Sequence, residues 1–408
     1  MAAAEFRALL RVLLKRRGMS VPALARACSY SRQYVWEVAA GRKRAPLETI
    51  RAFDAALGAQ GSLLATVAGD GNPIEEDGDM RRRTVLAGAS AVAGNITLGG
   101  GTLDELTAAL FPSDKAAPGN LAELRTSLAR AREDFAAVRY QQLARRLPGL
   151  LGAGEAARSF AGPAERAEYD VLLAGAYGLA ARLAIKLHEQ GVAWVTADRA
   201  AQAARRSGDP RAVASADRTA AVLLRRAGQR DQAQRVVVDA AARLHADTNL
   251  AGAGDASLYA SLLATAAYTA AVADRRDEAW TYAAEAGGVL AAAGGGDGFG
   301  ANELELYRSG IARALGDYGQ AVDHARRVRV GLLPTAERQA RCWEDTALAW
   351  WGRGRRDEAW EALQAAEVAA PQEVRYRPWA QRLAVDLLES GPALPGLRQF
   401  AARVGVPA

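Results

Sequence analysis

Apolar positions recur with a helical period along most of this chain. In "FRALLRVLLKRR", residues 6–17, Phe6, Leu9, Leu10, Leu13 and Leu14 share one face, and the arginines with Lys15 share the other, as in an amphipathic helix. Gly18 stops that helix. Ser20 is placed to cap a second, short one, "VPALARAC", whose Pro22 falls in the first turn, where its missing N–H costs little. "SYS" makes a three-residue turn, and Ser31 caps a third helix, "RQYVWEVAA", ending at Gly41. After "RKR" a fourth helix is predicted from Leu47 to Leu57, with Ile50, Phe53 and Leu57 turned inward.

From about residue 121 the pattern is helix after helix, and it repeats. A turn followed five residues later by alanine recurs in "GQRDQA" (Gly228–Ala233), "DRRDEA" (Asp274–Ala279), "GDYGQA" (Gly316–Ala321) and "GRRDEA" (Gly354–Ala359), with weaker copies anchored at Leu143 and Ala193. The anchors are 50, 40, 46, 42 and 38 residues apart. Tryptophan follows three of them, at Trp194, Trp280 and Trp360, and alanine recurs seven residues on at Ala200, Ala240, Ala286 and Ala366. Small residues where helices approach, beside a bulky one, describe a stack of helix pairs. The three tryptophans are accordingly expected in repeat cores. Trp350 and Trp351 are adjacent, so they cannot share one helical face, and one is expected at a surface or interface.

Composition agrees: half the residues are apolar, aromatics are few, and alanine and arginine dominate, which favours helix. Charge divides the chain. Residues 1–64 carry 11 Lys/Arg against 4 Asp/Glu, a net of +7, whereas the whole chain is +6. A basic head on a nearly neutral body is the footprint of a polyanion-binding module. Cys28 and Cys342 match no zinc or redox spacing and fit a reducing cytoplasm. No apolar run reaches the ~20 residues of a bilayer span.

Between head and array, "GDGNPIEEDGD" at residues 69–79 has the composition of a linker. "MRRRTVLAGASAVAG", residues 80–94, follows and looks like a twin-arginine export signal. Because a complete module stands upstream of Met80, we read this stretch as a linker with a short apolar element. The expected domains are residues 1–68, a linker over 69–120, and a helical repeat domain over 121–408.

Two short helices joined by a tight turn inside a small bundle make a helix-turn-helix. "SVPALARACSYSRQYVWEVAAGRKR" resembles the lambda-repressor-like, or XRE, family, with Ser20, Leu24, Ala25, Ser31, Val35, Val38 and Gly41 on its pattern over about residues 6–64. Val21 stands where that family often has a backbone-contacting Gln, and Ser29 where it has Gly. The resemblance implies that the third helix enters the major groove of double-stranded DNA. Val35 and Val38 are spaced to face the core, leaving Arg32, Gln33, Trp36 and Glu37 outward. Arg suits guanine, Gln adenine, and an apolar ring a thymine methyl. Packing against the fourth helix would equally account for Trp36. Ser31 and the free N–H groups at the helix start suit a phosphate, and Arg42, Lys43 and Arg44 suit backbone charge.

The repeat is similar to the tetratricopeptide family, although its spacing departs from that family's 34 residues. The fold class expected is all-α: a helix-turn-helix bundle followed by a tetratricopeptide-like α-solenoid. The whole resembles XRE–tetratricopeptide regulators of high-GC actinobacteria.

His188, His245 and His324 stand singly, and no nucleophile elbow, P-loop or dinucleotide fingerprint appears. No catalytic residue, cofactor or metal is therefore expected. The function expected is sequence-specific transcriptional regulation at the nucleoid of the cytoplasm, by a homodimer whose array pairs subunits or senses a peptide, small-molecule or protein effector. A short peptide leads by analogy with the pheromone receptors of Gram-positive bacteria. The alternative is a protein–protein adaptor that the head tethers to DNA.

Overall fold

A computed structural model of the chain describes residues 2–17, 19–28, 35–36, 38–39, 47–59, 62–63, 107 and 117–406, except 295–297, 376 and 393. It divides into two compact units, residues 1–91 and 92–408. Among the described residues the fold is all-α, with eighteen α-helices, one short 3-10 turn at Val330–Leu332, and no strand.

In the first unit α1 (Ala2–Arg16), α2 (Val21–Ala27) and α3 (Leu47–Leu57) surround one apolar core. Phe6, Leu10 and Leu14 of α1 are buried, as are Leu24 and Ala25 of α2 and Ile50, Phe53 and Leu57 of α3. Leu9 and Leu13 border that core half-buried. Ser20 caps α2 by accepting the Ala23 N–H at 3.3 Å. Past α3, the buried Asp54 carboxylate accepts the Leu63 N–H at 2.9 Å, tying Leu63 into the core.

The second unit runs through α4 (Leu121–Ala136), α5 (Tyr140–Phe160), α6 (Pro163–Lys186), α7 (Gln190–Ser207), α8 (Pro210–Arg226), α9 (Arg230–Thr248) and α10 (Ala253–Val272). It continues through α11 (Arg276–Ala292), α12 (Ala301–Ala314), α13 (Tyr318–Arg327), α14 (Ala336–Gly352) and α15 (Arg356–Ala369), and ends in α16 (Pro371–Arg375), α17 (Pro378–Glu389) and α18 (Leu397–Arg403).

The sequence repeat has a backbone cause. Each anchor is the fourth residue of an odd-numbered helix, α5 to α15, and each is wholly buried: Leu143, Ala193, Ala233, Ala279, Ala321 and Ala359. Five residues before each, and two past the end of the preceding helix, stands a residue of positive φ: Val138, His188, Gly228, Asp274, Gly316 or Gly354. The next N–H then reaches back over the last turn, as in Arg139 to the Asp134 carbonyl at 2.8 Å and Arg355 to the Trp350 carbonyl at 2.9 Å. This left-handed helix stop satisfies carbonyls that would otherwise be orphaned. It turns the chain sharply, and a small anchor lets the next helix lie close to its predecessor.

The layers are unequal. Even-numbered helices α4 to α14 pack on the next even-numbered helix as well as on their sequence neighbours and form the inner layer, with the odd-numbered helices outside. α10, apolar on nearly all sides, is buried along almost its whole length. The expected stack is borne out as a helical repeat-like array, with one difference: α14 packs back against α4. Ala340 and Ala370 join the same core as Leu124, Leu128 and Phe135. Lys186 on α6 bonds Glu337 on α14 at 2.6 Å, and the Tyr140 hydroxyl donates to the buried Glu373. The inner helices thus close a ring.

Of the three repeat tryptophans, Trp360 is buried and Trp280 half-buried, but Trp194 is 39% exposed. Ala279 and Ala359 are anchors as small and as buried as Ala193, so the anchor does not set the exposure of the residue after it. Trp350 and Trp351 are both half-buried. Trp350 lies beneath the guanidiniums of Arg353 and Arg326, at 5.2 and 5.4 Å, while Trp351 packs on the C-terminal core.

Candidate nucleic-acid interface

The head positions its candidate reading segment through two valines. Val35 and Val38 are 0% and 1% exposed, in a core with Leu24 and Ala25 of α2. Residues 35–36 and 38–39 are helical. A core-facing pair three residues apart turns Trp36, next to the first of them, outward. Trp36 is 48% exposed, one step along the helix from a fully buried neighbour. Cys28, at the end of α2, is half-buried and donates weakly to the Ala52 carbonyl at 3.4 Å, linking α2 to α3. Burial raises its thiol pKa, so it remains a neutral packing group.

Of the residues expected to touch DNA, Trp36 lies among the described residues. Ser31, Arg32, Gln33, Glu37, Arg42, Lys43 and Arg44 lie outside them, as do the linker over 69–79 and the export-like stretch over 80–94. Arg11 and Arg16 of α1, and Arg17 just after it, are exposed.

Among the described residues no cluster of His, Cys, Asp and Glu is arranged to hold a metal ion. His324 is occupied structurally: its Nδ1 lies 2.8 Å from a Glu305 carboxylate oxygen, and its ring stacks on Trp280 at 5.7 Å. No described helix is long and apolar enough to cross a membrane.

A second concentration of charge escaped the sequence reading. The inner helices of the array enclose a cavity of about 220 Å³ into which Arg182, Lys186, Arg218, Arg225, Arg338 and Arg341 project. Arg226 and Arg377 also line it, with Glu337 and Asp345 as the acids on its wall. Spacing was the available clue. Arg182 and Lys186 are four residues apart, Arg218 and Arg225 seven, and Arg338 and Arg341 three, so each pair shares a helical face. The near-zero net charge of residues 65–408 concealed it.

Residues 5–67 match a family model described as a helix-turn-helix domain. No curated protein matches the chain. The matched span contains the whole described core of the first unit, and a helix-turn-helix domain there supports a DNA-binding regulator rather than an enzyme.

Proposed function

We propose that this chain is a sequence-specific transcriptional regulator of the XRE type. The head reads an operator in double-stranded DNA, and the tetratricopeptide-like array pairs two copies, senses an effector, or does both. The observation that carries the reading is the helix-turn-helix match over residues 5–67, on a core in which Val35 and Val38 are inward and Trp36 is exposed. In that register Arg32, Gln33, Trp36 and Glu37 address base edges. Ser31, Arg42, Lys43 and Arg44 neutralise phosphates. The domains are residues 1–68 and 121–408, joined by 69–120, and the protein works in the cytoplasm at the nucleoid.

The test is binding of the full chain to its own upstream DNA and to a scrambled copy at two salt concentrations. A preference of ~1,000-fold or more for its own DNA, lost in Arg32→Ala and Gln33→Ala, is the expected result. Equal, salt-sensitive affinity for both sequences would instead favour an adaptor tethered to DNA.

A further inference from the structure

The inner ring of the array holds more positive charge than its carboxylates answer. Lys186 bonds Glu337 and Glu373 at 2.6 and 2.9 Å, Arg341 bonds Asp345 at 2.9 Å, and Arg377 bonds Glu373 at 2.9 Å. Arg338 lies 3.5 Å from Glu303. Four guanidiniums remain. Among the described residues Arg182, Arg218, Arg225 and Arg226 pair with no carboxylate. Arg182 rests over the Phe135 ring at 4.1 Å. Arg218 donates to the Thr265 and Tyr307 hydroxyls at 2.9 and 2.8 Å, and Arg225 to the Thr269 hydroxyl at 3.0 Å. Arg226 lies 3.5 Å from His188 Nδ1.

These groups are crowded by protein while solvent still reaches them through the cavity. Crowding lowers the Arg182 pKa to about 10; Glu337 opposes the fall, and Arg218 and Arg338 deepen it. His188 keeps an exposed surface, yet the protein crowded around it, then Arg226 and Arg377, lower its pKa to about 4. Like charges gathered in a partly desolvated space destabilise a fold unless something neutralises them. Stability alone gives no reason for four of them to face one cavity.

We propose that this cavity binds one compact polyanion per chain, a small metabolite bearing phosphate or carboxylate groups, through Arg182, Arg218, Arg225 and Arg226. Guanidinium forks match either group in a bidentate geometry. At about 220 Å³ the space is smaller than the ~300–1,000 Å³ typical of sites for drug-sized ligands, which suits a metabolite rather than a helical segment. Because α6, α8, α10, α12 and α14 all contribute to its wall, an anion there would draw together helices from both ends of the ring. Its role as the effector rests on the regulator reading above; its binding does not.

The experiment is isothermal titration calorimetry of the full chain with pyrophosphate, citrate and glucose phosphate, and with glucose as the uncharged control. At least one polyanion is expected to bind at one per chain, with glucose silent. Arg182→Met and Arg218→Gln are each expected to weaken that binding at least about tenfold. Arg182 has no carboxylate partner to orphan, so Arg182→Met is expected to melt no lower than wild type without ligand, which separates lost binding from misfolding. The anion should raise the melting temperature of wild type by ~5 °C at a hundred times its dissociation constant. Absence of binding by all three anions, binding at many weak sites, or unchanged affinity in both variants overturns the proposal. Anion binding without operator preference would sink the regulator reading alone, and operator preference without anion binding would sink the site alone.

Discussion

Arg218 on α8 donates to the hydroxyl of Tyr307 on α12 at 2.8 Å, reaching past α10, which lies between those helices in the inner layer. Tyr307 also has Arg338 of α14 over its ring at 5.6 Å. Burial works to raise the phenol's pKa, but Arg218, Arg338 and Arg225 outweigh it and bring it down to about 7. The nearby acids, Glu303 and Glu337, are engaged with Arg338 at 3.5 and 3.7 Å. A tyrosine acidified in this way reports the positive potential of the cavity.

Tyr307 should therefore form phenolate near neutral pH. Its ordinary pKa is about 10, and its folded value is depressed. Between about pH 7 and 10 the folded protein has shed a proton that the unfolded chain keeps, so stability rises with pH through that window. The contribution is lost as pH falls to about 7. Tyr177 and Tyr259 are pushed up to about 12, in each case first by burial, and stay silent there. Near-ultraviolet absorbance should show a phenolate step near neutrality that Tyr307→Phe removes. Burial works to raise Tyr268, but Arg341 and Arg313 outweigh it and lower its pKa as well, so persistence of the neutral step in Tyr307→Phe would contradict the assignment.

Glu373 closes the ring. It is 6% exposed, accepts from the Tyr140 hydroxyl, and pairs with Lys186 and Arg377 at 2.9 Å each. Glu373→Ala leaves those cations facing one fewer carboxylate in a protein-lined space, a change that typically costs ~3–5 kcal/mol. Chemical denaturation should register a loss of that order. A loss below about 1 kcal/mol, in the range of an exposed pair, would show that the closure contributes little.

Opposite substitutions at equivalent turns should change stability in opposite directions. Gly354 has φ +73° and open space where a Cβ would stand, whereas Asp274 at the matching position of another repeat has φ +60°. A side chain in that backbone region costs roughly 1–2 kcal/mol. Gly354→Ala should lower stability by about that amount, and Asp274→Gly should raise it by up to ~1 kcal/mol. Thermal melts of both variants provide the check, and equal signs would refute the backbone account.

In the head, Phe53 is fully buried among Leu10, Leu24, Val35 and Leu57. Phe53→Ala removes that filling at a typical cost of ~3–5 kcal/mol, enough to unfold a small bundle. DNA binding should disappear while most helical circular dichroism, which comes from the second unit, persists. Retained operator affinity would mean that the bundle tolerates the cavity.

The candidate site was legible in the head as far as periodicity reaches. Val35 and Val38 are inward because two apolar residues three apart must share a face, and Trp36 is turned outward by the same geometry. The cationic cavity was not legible as a site. Arg218, Arg225 and Arg341 sit on ordinary amphipathic helices and Arg182 on one whose apolar residues favour no single face, and nothing local distinguishes a basic stripe facing water from one facing a shared cavity. Trp194 shows the limit at one residue: repeat register placed it in a core, but the face it occupies is 39% exposed.

By itself the sequence determined the helices, their stops and the repeat, because each is local chemistry. An apolar period makes the face, a residue of positive φ, glycine at three of the six stops, ends the helix, and an anchor five residues on, alanine at five of the six, lets the next helix lie close. Tertiary structure alone decided which layer each helix joins and that the layers close. Tyr140 meets Glu373 across 233 residues, and Lys186 meets Glu337 across 151. Such contacts depend on small rotations accumulated from one helix pair to the next, which no single segment encodes. That closure turns separate arginine stripes, balanced elsewhere by acids, into one cavity of concentrated positive charge.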